Sequence, residues 1–159
     1  MVMLESTLKE KGVYLQNVDE KDLEDFIQIE NETHTKYVLE QKDFLGEYKE
    51  EVLVKNFELK MKMSFFQKVV RNKEIVGFLG YDVKDMCIDS IFIRLKRNTQ
   101  NQGIGTLFLE YLKELSKRQE KPIFLAVIKT NPAQKLYRKL GFIFCKEENA
   151  FYHFKYENR

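Results

Sequence analysis

The chain has 159 residues, of which 43% are hydrophobic and 33% are charged, and its formal net charge at pH 7 is +2. This composition is typical of one globular domain: it is too apolar for a disordered chain and too short for two sizeable cores. No segment approaches the roughly 18 consecutive apolar residues of a membrane helix, and the charged N-terminus does not resemble a secretory signal. We therefore expect a cytoplasmic protein with no membrane partner.

The small net charge hides an asymmetry along the chain. Residues 19–51 contain twelve acidic residues against four lysines, whereas residues 52–159 carry a net charge of +10. Such runs usually mark solvated helix faces, but the basic part also suits an anionic ligand and the acidic part a cation. The basic residues form neither a long tract nor a recognition helix, so we expect no nucleic-acid partner.

Cysteine and histidine are too few for a metal site. Cys87 and Cys145 are far apart, and the only histidines are His34 and His153. Because structural zinc needs closely spaced ligands of these types, we expect no metal. Both cysteines are interpreted as small core residues.

The first part of the chain predicts a short strand followed by helices. Residues 13–18 have the pattern of a strand, and Asp19 is suited to cap the helix that follows. Residues of that helix recur at helical spacing: Leu23, Phe26, Ile27 and Glu30. A second helical run continues to about Met61, and its predicted face is formed by Leu45, Tyr48, Val52 and Leu59.

From Ser64 the pattern changes to strands. Residues 65–71 and 75–82 flank the Asn72-Lys73 turn and predict a β-hairpin. After a further turn, another strand runs from about residue 86 to residue 95. A polar loop then leads into a long helix whose apolar stripe is formed by Ile104, Phe108, Tyr111, Leu112 and Leu115.

The last part of the chain returns to strands. Residues 123–128 are a continuous apolar run, which indicates a strand covered on both faces. A short helix over residues 132–140 is closed by Gly141, and strands over about 142–146 and 151–156 follow. Residues 1–159 are therefore expected to form a single α/β domain with a mixed sheet and helices on both faces.

The junction between the polar loop and the long helix is the most informative segment. It reads Gln-Asn-Gln-Gly-Ile-Gly-Thr over residues 100–106. Glycine lets a ligand approach the main chain, and the unpaired N–H groups of a helix start bind phosphate oxygens. A P-loop would require Lys followed by Ser or Thr after the second glycine, where Thr106 and Leu107 stand. A dinucleotide fingerprint would require Gly or Ala where Phe108 stands.

A second segment, residues 131–142, reads Asn-Pro-Ala-Gln-Lys-Leu-Tyr-Arg-Lys-Leu-Gly-Phe. Together the two segments resemble the GNAT superfamily of acyl-CoA-dependent N-acetyltransferases. The first matches that family's Gln/Arg-x-x-Gly-x-Gly/Ala loop, and the second its Asn…Leu-Tyr-x-x-Leu-Gly-Phe block. The resemblance is detailed over residues 74–142. It implies a mixed, mostly antiparallel central sheet of about six to seven strands with helices on both faces.

The resemblance also implies acetyl-CoA as co-substrate, in a slot where two neighbouring strands splay apart. The strand end would contact the pantetheine arm, and the loop amides would hold the diphosphate. The implied cofactor-binding residues are Ile93, Arg94, Leu95, Gln100, Asn101, Gln102, Gly103, Ile104, Gly105, Thr106, Asn131, Lys135 and Tyr137. The sequence departs from the family in having Arg97 where a Pro is frequent, and in a spacing from Asn131 to Tyr137 that is one residue shorter.

The implied reaction is transfer of acetyl from acetyl-CoA to a primary amine, by direct attack in a ternary complex. The resemblance places Tyr137 near the thioester sulfur, and a phenol with a pKa of about 10 can act as a general acid. The general base is left open: the candidates are Asp89, Glu30 and Glu32, and a water chain is an alternative. By strand alternation, Asp89 shares a face with Ile91 and Ile93.

The acceptor is expected to be a small-molecule or peptide amine, which the acidic residues of the first part would steer. A protein N-terminal or lysine acetyltransferase is one alternative, and a CoA-binding sensor or interaction module without turnover is another. A nucleic-acid-binding domain is a third alternative. His34 is a candidate residue of the acceptor loop, but the favoured expectation is an exposed histidine without a special role. The resemblance allows a homodimer.

Overall fold

One sheet of seven strands organises the computed structural model, which describes residues 4–45 and 49–157 apart from the side chain of Phe44. The strands are β1 (Tyr14–Asn17), β2 (Phe65–Arg71), β3 (Glu74–Val83), β4 (Ile88–Leu95), β5 (Ile123–Ile128), β6 (Ile143–Glu148) and β7 (Phe151–Tyr156). Their order is β1-β2-β3-β4-β5-β7-β6. Neighbouring strands are antiparallel except β4 and β5, which are parallel. The mixed, mostly antiparallel sheet is thus confirmed.

Helices cover both faces of this sheet. They are α1 (Leu4–Glu10), α2 (Leu23–Thr33), α3 (Thr35–Glu40), α4 (Lys42–Leu45), α5 (Glu50–Lys60), α6 (Ile104–Gln119) and α7 (Gln134–Lys139). The expected cap at Asp19 begins a 3-10 turn that leads into α2: its carboxylate accepts the Lys21 N–H at 2.8 Å. None of the described helices is long and apolar enough to cross a membrane.

Two apolar cores hold the helices to the sheet. On one face, Leu8 of α1 and Leu112 of α6 lie in a cluster with sheet residues. On the other face, Phe26 of α2 is fully buried in an aromatic cluster. Its ring centre lies 5.2–6.2 Å from those of Phe57, Phe66, Phe78 and Phe92. Aromatic packing at such distances fixes α2 across β2, β3 and β4, with its C-terminal end beside the end of β4.

The strand β5 is covered on one face only, which corrects the expectation that both faces are covered. Leu125 and Val127 are buried, whereas Phe124 is 40% exposed and Ala126 is exposed. The reason is the placement of the helices: α6 packs behind β5, while α2 lies over β3 and β4 instead.

Two further expectations are corrected by burial. Val52 and Leu59 of α5 are 50% and 63% exposed. The buried positions are Leu53 and Phe57, and Phe57 packs against Phe26. Leu45 belongs to the separate helix α4, and Tyr48 lies outside the described residues. The two cysteines are not core residues either: Cys145 lies exposed on the edge strand β6, and Cys87 is partly exposed.

Candidate active site

A gap opens between β4 and β5. The two strands pair only through Ile88 and Ile123, at the start of both, in the part of the chain that the structure describes. Beyond that pair, β4 continues along β3 and β5 along β7. The facing edges of β4 and β5 therefore carry main-chain N–H and C=O groups without a ladder partner, and such groups need a ligand or water.

A β-bulge lies beside the gap, in the first half of β4. Between Asp89 and Phe92, the two residues Ser90 and Ile91 face a single residue of β3. Ser90 adopts a φ of +55°. Because the bulge adds one residue to the strand, it shifts the alternation of side chains. Asp89 therefore shares a face with Phe92, and not with Ile91 and Ile93 as simple alternation predicted.

The glycine loop follows the other end of β4. Gly103, at a φ of +85°, directly precedes the first residue of α6, and no side chain caps this helix start. The Gln100 carboxamide donates to the Leu95 carbonyl oxygen at 2.9 Å and so ties the loop to the strand end. This geometry leaves the first N–H groups of a 16-residue helix directed into the space beside the gap.

A cavity of about 430 Å³ lies over this loop, between the end of β4 and residues 131–136. Of the residues that the resemblance implies for the cofactor, all except Gln102 and Tyr137 line this cavity. Gln102 instead accepts from Arg71 at 2.7 Å and donates to the Asn98 carbonyl oxygen at 2.9 Å, so its side chain fixes the loop from outside.

Asn131 stabilises the turn before α7. Its carboxamide oxygen accepts the Ala133 N–H at 2.9 Å, which is an Asx turn. The side chain of Lys135, which is exposed, lies further along the same wall of the cavity. Anionic groups of a ligand in this cavity would thus meet both helix N–H groups and an ammonium.

Tyr137 packs its ring between Phe142 and Phe154, each at a centre-to-centre distance of 6.1 Å. Its neighbour Leu136 lines the 430 Å³ cavity, and Phe154 lines a second cavity of about 550 Å³ at the start of the gap. Burial raises the pKa of the Tyr137 hydroxyl, although nearby Arg94 opposes this shift. The phenol therefore stays protonated at neutral pH.

Asp89 lies on the wall of this second cavity, together with the bulge residues Ser90 and Ile91. Its carboxylate pairs with Lys84 at 2.8 Å and accepts from the Ser90 hydroxyl at 3.3 Å. The side chain is 25% exposed. Of the carboxylates expected at the site, Asp89 borders the gap and remains accessible to a ligand.

The other two candidate bases are engaged elsewhere. Glu30 is buried at the end of α2, where its carboxylate accepts from the Arg94 Nε at 2.5 Å. Glu32 accepts the Arg97 main-chain N–H at 3.0 Å. These contacts join the end of α2 to the end of β4 and the loop. Glu30 thus compensates a protein cation and does not present its charge to a ligand.

Lys60 was missed by the sequence analysis, and His34, a candidate of the acceptor loop, was expected to be exposed. His34 is half-buried instead of exposed, and burial together with Arg94 and Lys60 lowers its pKa to about 3. Burial and Arg94 lower the pKa of Lys60 to about 8. Helical periodicity could have indicated that Lys60 faces the protein. Lys60 lies three residues after the buried Phe57 and seven after the buried Leu53, on the same face of α5.

Among the described residues, no three side chains of His, Cys, Asp or Glu form a group that could hold a metal ion. The splayed sheet and the loop beside it define an α/β domain with an open gap between β4 and β5. The chain belongs to the GNAT acetyltransferase family, because the model of the Acetyltransferase (GNAT) family matches residues 23–142.

Solved structures of three acetyltransferases have a similar fold. The PaiA N-acetyltransferase from Thermoplasma acidophilum in complex with coenzyme A is 17% identical, with a TM-score of 0.66 over 92% of this chain and 99% of that chain. The ribosomal-protein-S18-alanine N-acetyltransferase from Escherichia coli is 21% identical, with a TM-score of 0.62 over 90% of both chains. Campylobacter jejuni PseH in complex with acetyl coenzyme A is 16% identical, with a TM-score of 0.59 over 92% of this chain and 99% of that chain. No curated protein matches the sequence.

Proposed function

We propose that this chain transfers an acetyl group from acetyl-CoA to a primary amine, by direct attack within a ternary complex. One observation carries the proposal. The uncapped start of α6 and the end of the unpaired edge of β4 line the same cavity of about 430 Å³. Family membership supports it, as do similar chains whose structures contain coenzyme A or acetyl coenzyme A.

The residues of the cavity fit such a ligand. The N–H groups of residues 103–106 and the helix dipole would hold the diphosphate, and the free edge of β4 would bind the amides of the pantetheine arm. A Cβ at Gly105 would lie 3.8 Å from Leu136 and 3.9 Å from Ile93, so the glycine leaves a surface that the ligand can cover. The thioester would then reach the bulge, whose main-chain N–H groups would stabilise the oxyanion.

Proton transfer is assigned to Tyr137, whose ring packs against Phe154 of the second cavity, and to Asp89 on the wall of that cavity. The amine nitrogen forms a bond to the thioester carbon, the carbon–sulfur bond breaks, and Tyr137 donates a proton to the departing thiolate. Its raised pKa suits an acid that must stay protonated at neutral pH. Asp89 is the proposed acceptor of the amine proton, because it lines the gap, whereas Glu30 is held by Arg94.

The test measures acetyl-CoA binding by calorimetry and CoA release with amines, amino acids and peptides, in wild type and in Tyr137→Phe. We expect Tyr137→Phe to lower kcat by about 10²-fold or more and to change the acetyl-CoA Kd by less than about twofold. Tyr156→Phe is the matched control, since Tyr156 belongs to the same aromatic cluster. Wild-type chain that does not bind acetyl-CoA would refute the proposal.

Peptide and protein acceptors remain an alternative within the same chemistry, and the peptides in the panel test them. A CoA-binding module without turnover is the alternative outside enzymes. It predicts acetyl-CoA binding with no CoA release on any amine, and with equal behaviour of Tyr137→Phe and wild type.

A further inference from the structure

A third cavity, of about 150 Å³, lies between the ends of α2 and α5 and the outer face of β4. Its polar lining includes Glu30, His34, Lys60 and Arg94, and its apolar lining includes Leu53. His34 and Arg94 also line the 430 Å³ cavity, so these two side chains form a wall that the two cavities share. A molecule in the small cavity would therefore sit directly beside the proposed donor site.

Three cations and one carboxylate line the small cavity: Arg94, the half-buried Lys60, the exposed Lys49, and Glu30. The Arg94 guanidinium and the Glu30 carboxylate pair at 2.5 Å and cancel each other. The Lys60 ammonium lies 4.2 Å from the centre of the Phe92 ring, and within the described ranges 4–45 and 49–157 it forms no ion pair. Glu30 raises its pKa only in part, because burial and Arg94 dominate. A buried cation without a counter-charge is unfavourable, and an anion would relieve it.

His34 contributes a second unsatisfied group. Its Nδ1 is buried and has no hydrogen-bond partner among the described residues. At its lowered pKa of about 3 the imidazole is neutral at pH 7, with one nitrogen that donates and one that accepts. Since buried polar atoms are nearly always hydrogen-bonded, Nδ1 is suited to pair with a polar atom of a ligand or with water.

We propose that the 150 Å³ cavity binds a carboxylate of the acyl acceptor, with Lys60 as its ionic partner and His34 as its hydrogen-bond donor. The acceptors would thus be amines that also carry a carboxylate, which deepens and rests on the proposed function. The Lys60 ammonium supplies the ionic partner for a carboxylate, and the exposed Lys49 lines the same cavity. The shared wall of His34 and Arg94 directs the rest of the acceptor, including its amine, toward the gap.

The first experiment measures carboxylate binding alone, with propionate as the probe and propionamide as its neutral counterpart. The Lys60 side chain is followed by the NMR signal of its labelled ε-carbon. We expect propionate to raise the Lys60 pKa from about 8 toward the ordinary value of about 10.4, and propionamide to leave it unchanged. Unchanged Lys60 signals at saturating propionate would overturn the proposal, and this wild-type titration does not depend on any variant.

Variants of Lys60 then test whether this residue binds the propionate. Lys60→Met keeps a long aliphatic side chain but removes the charge that lies over the Phe92 ring. Lys55→Met changes an exposed residue of the same helix. We expect Lys60→Met to weaken propionate binding by at least about tenfold, which corresponds to 1.4 kcal/mol, and Lys55→Met to leave it unchanged. Equal propionate affinity in wild type and Lys60→Met would contradict the assignment.

The second experiment tests whether the bound carboxylate belongs to the acyl acceptor. Glycine, β-alanine and 4-aminobutyrate are each compared with their amides for CoA release. We expect the wild type to favour at least one acid over its amide by about tenfold or more in kcat/KM, and Lys60→Met to lose that preference. Acetylation of amides and acids without such a preference would overturn the inference alone. Propionate binding with no turnover of any amine would overturn the proposed function and the acceptor assignment, but not the anion site.

Discussion

The variant Gly105→Ala is expected to weaken acetyl-CoA binding without lowering the stability of the fold. Gly105 is the second residue of α6, and a Cβ there would lie 3.8 Å from the Leu136 Cδ2 and 3.9 Å from the Ile93 Cγ2. These are ordinary contact distances, so the folded chain has room for a methyl group. Alanine is favoured over glycine in a helix by up to about 1 kcal/mol, so we expect the free energy of unfolding to stay unchanged or to rise by that amount.

The same methyl group would project into the cavity where we place the diphosphate. Loss of close approach to even one amide should weaken a charge-assisted hydrogen bond, which contributes about 1.5–3 kcal/mol. The acetyl-CoA Kd is therefore expected to rise by about tenfold or more. Calorimetric titration with acetyl-CoA measures the affinity, and urea unfolding measures the stability of the same preparation.

Gly12→Ala provides the matched control. Gly12, unlike Gly105, has a left-handed backbone, with a φ of +79°, and nothing lies within 4 Å of a Cβ built there. Alanine in this conformation should destabilise the fold by about 1 kcal/mol and leave the acetyl-CoA affinity unchanged. The reasoning is refuted if Gly105→Ala binds acetyl-CoA as wild type does, or if both variants lose affinity in proportion to their loss of stability.

Three further predictions concern the core, the base and the pH dependence of stability. Phe26→Ala should destabilise the fold by about 3–5 kcal/mol in urea unfolding, because the ring is fully buried among four others. Asp89→Asn should lower kcat in the CoA-release assay, while acetyl-CoA affinity stays constant. Since His34 binds a proton more readily unfolded than folded, wild-type stability should fall from about pH 6.5 toward pH 3, and His34→Asn should reduce that slope.

The elements that depend on local chemistry were predictable from the sequence. Asn72 and Lys73 adopt φ angles of +51° and +68°, which is the turn geometry that a two-residue hairpin requires. Gly141 lies just after α7 with a φ of +90°, which is the left-handed conformation predicted for a glycine that closes a helix. Gly103 likewise marks the start of α6. In each case neighbouring residues alone determine the backbone conformation, so one sequence is sufficient.

The features that depend on distant residues were not predictable. The bulge at Ser90 exists only through pairing with β3, and it changes the face on which Asp89 lies. The pair of Glu30 and Arg94 joins residues 64 positions apart, and it occupies a carboxylate that the sequence alone left available. The exposure of Phe124 depends on where α2 packs. Each feature is a consequence of tertiary packing, which local sequence patterns do not predict.

The most direct test of the central claim follows the main-chain amides themselves. Nitrogen–proton correlation spectra are recorded while acetyl-CoA is added to the isotope-labelled chain. We predict that the largest shifts occur at the amides of residues 103–106, with smaller shifts along residues 93–95 of β4. Unmoved signals of residues 103–106 at saturating acetyl-CoA would contradict the account.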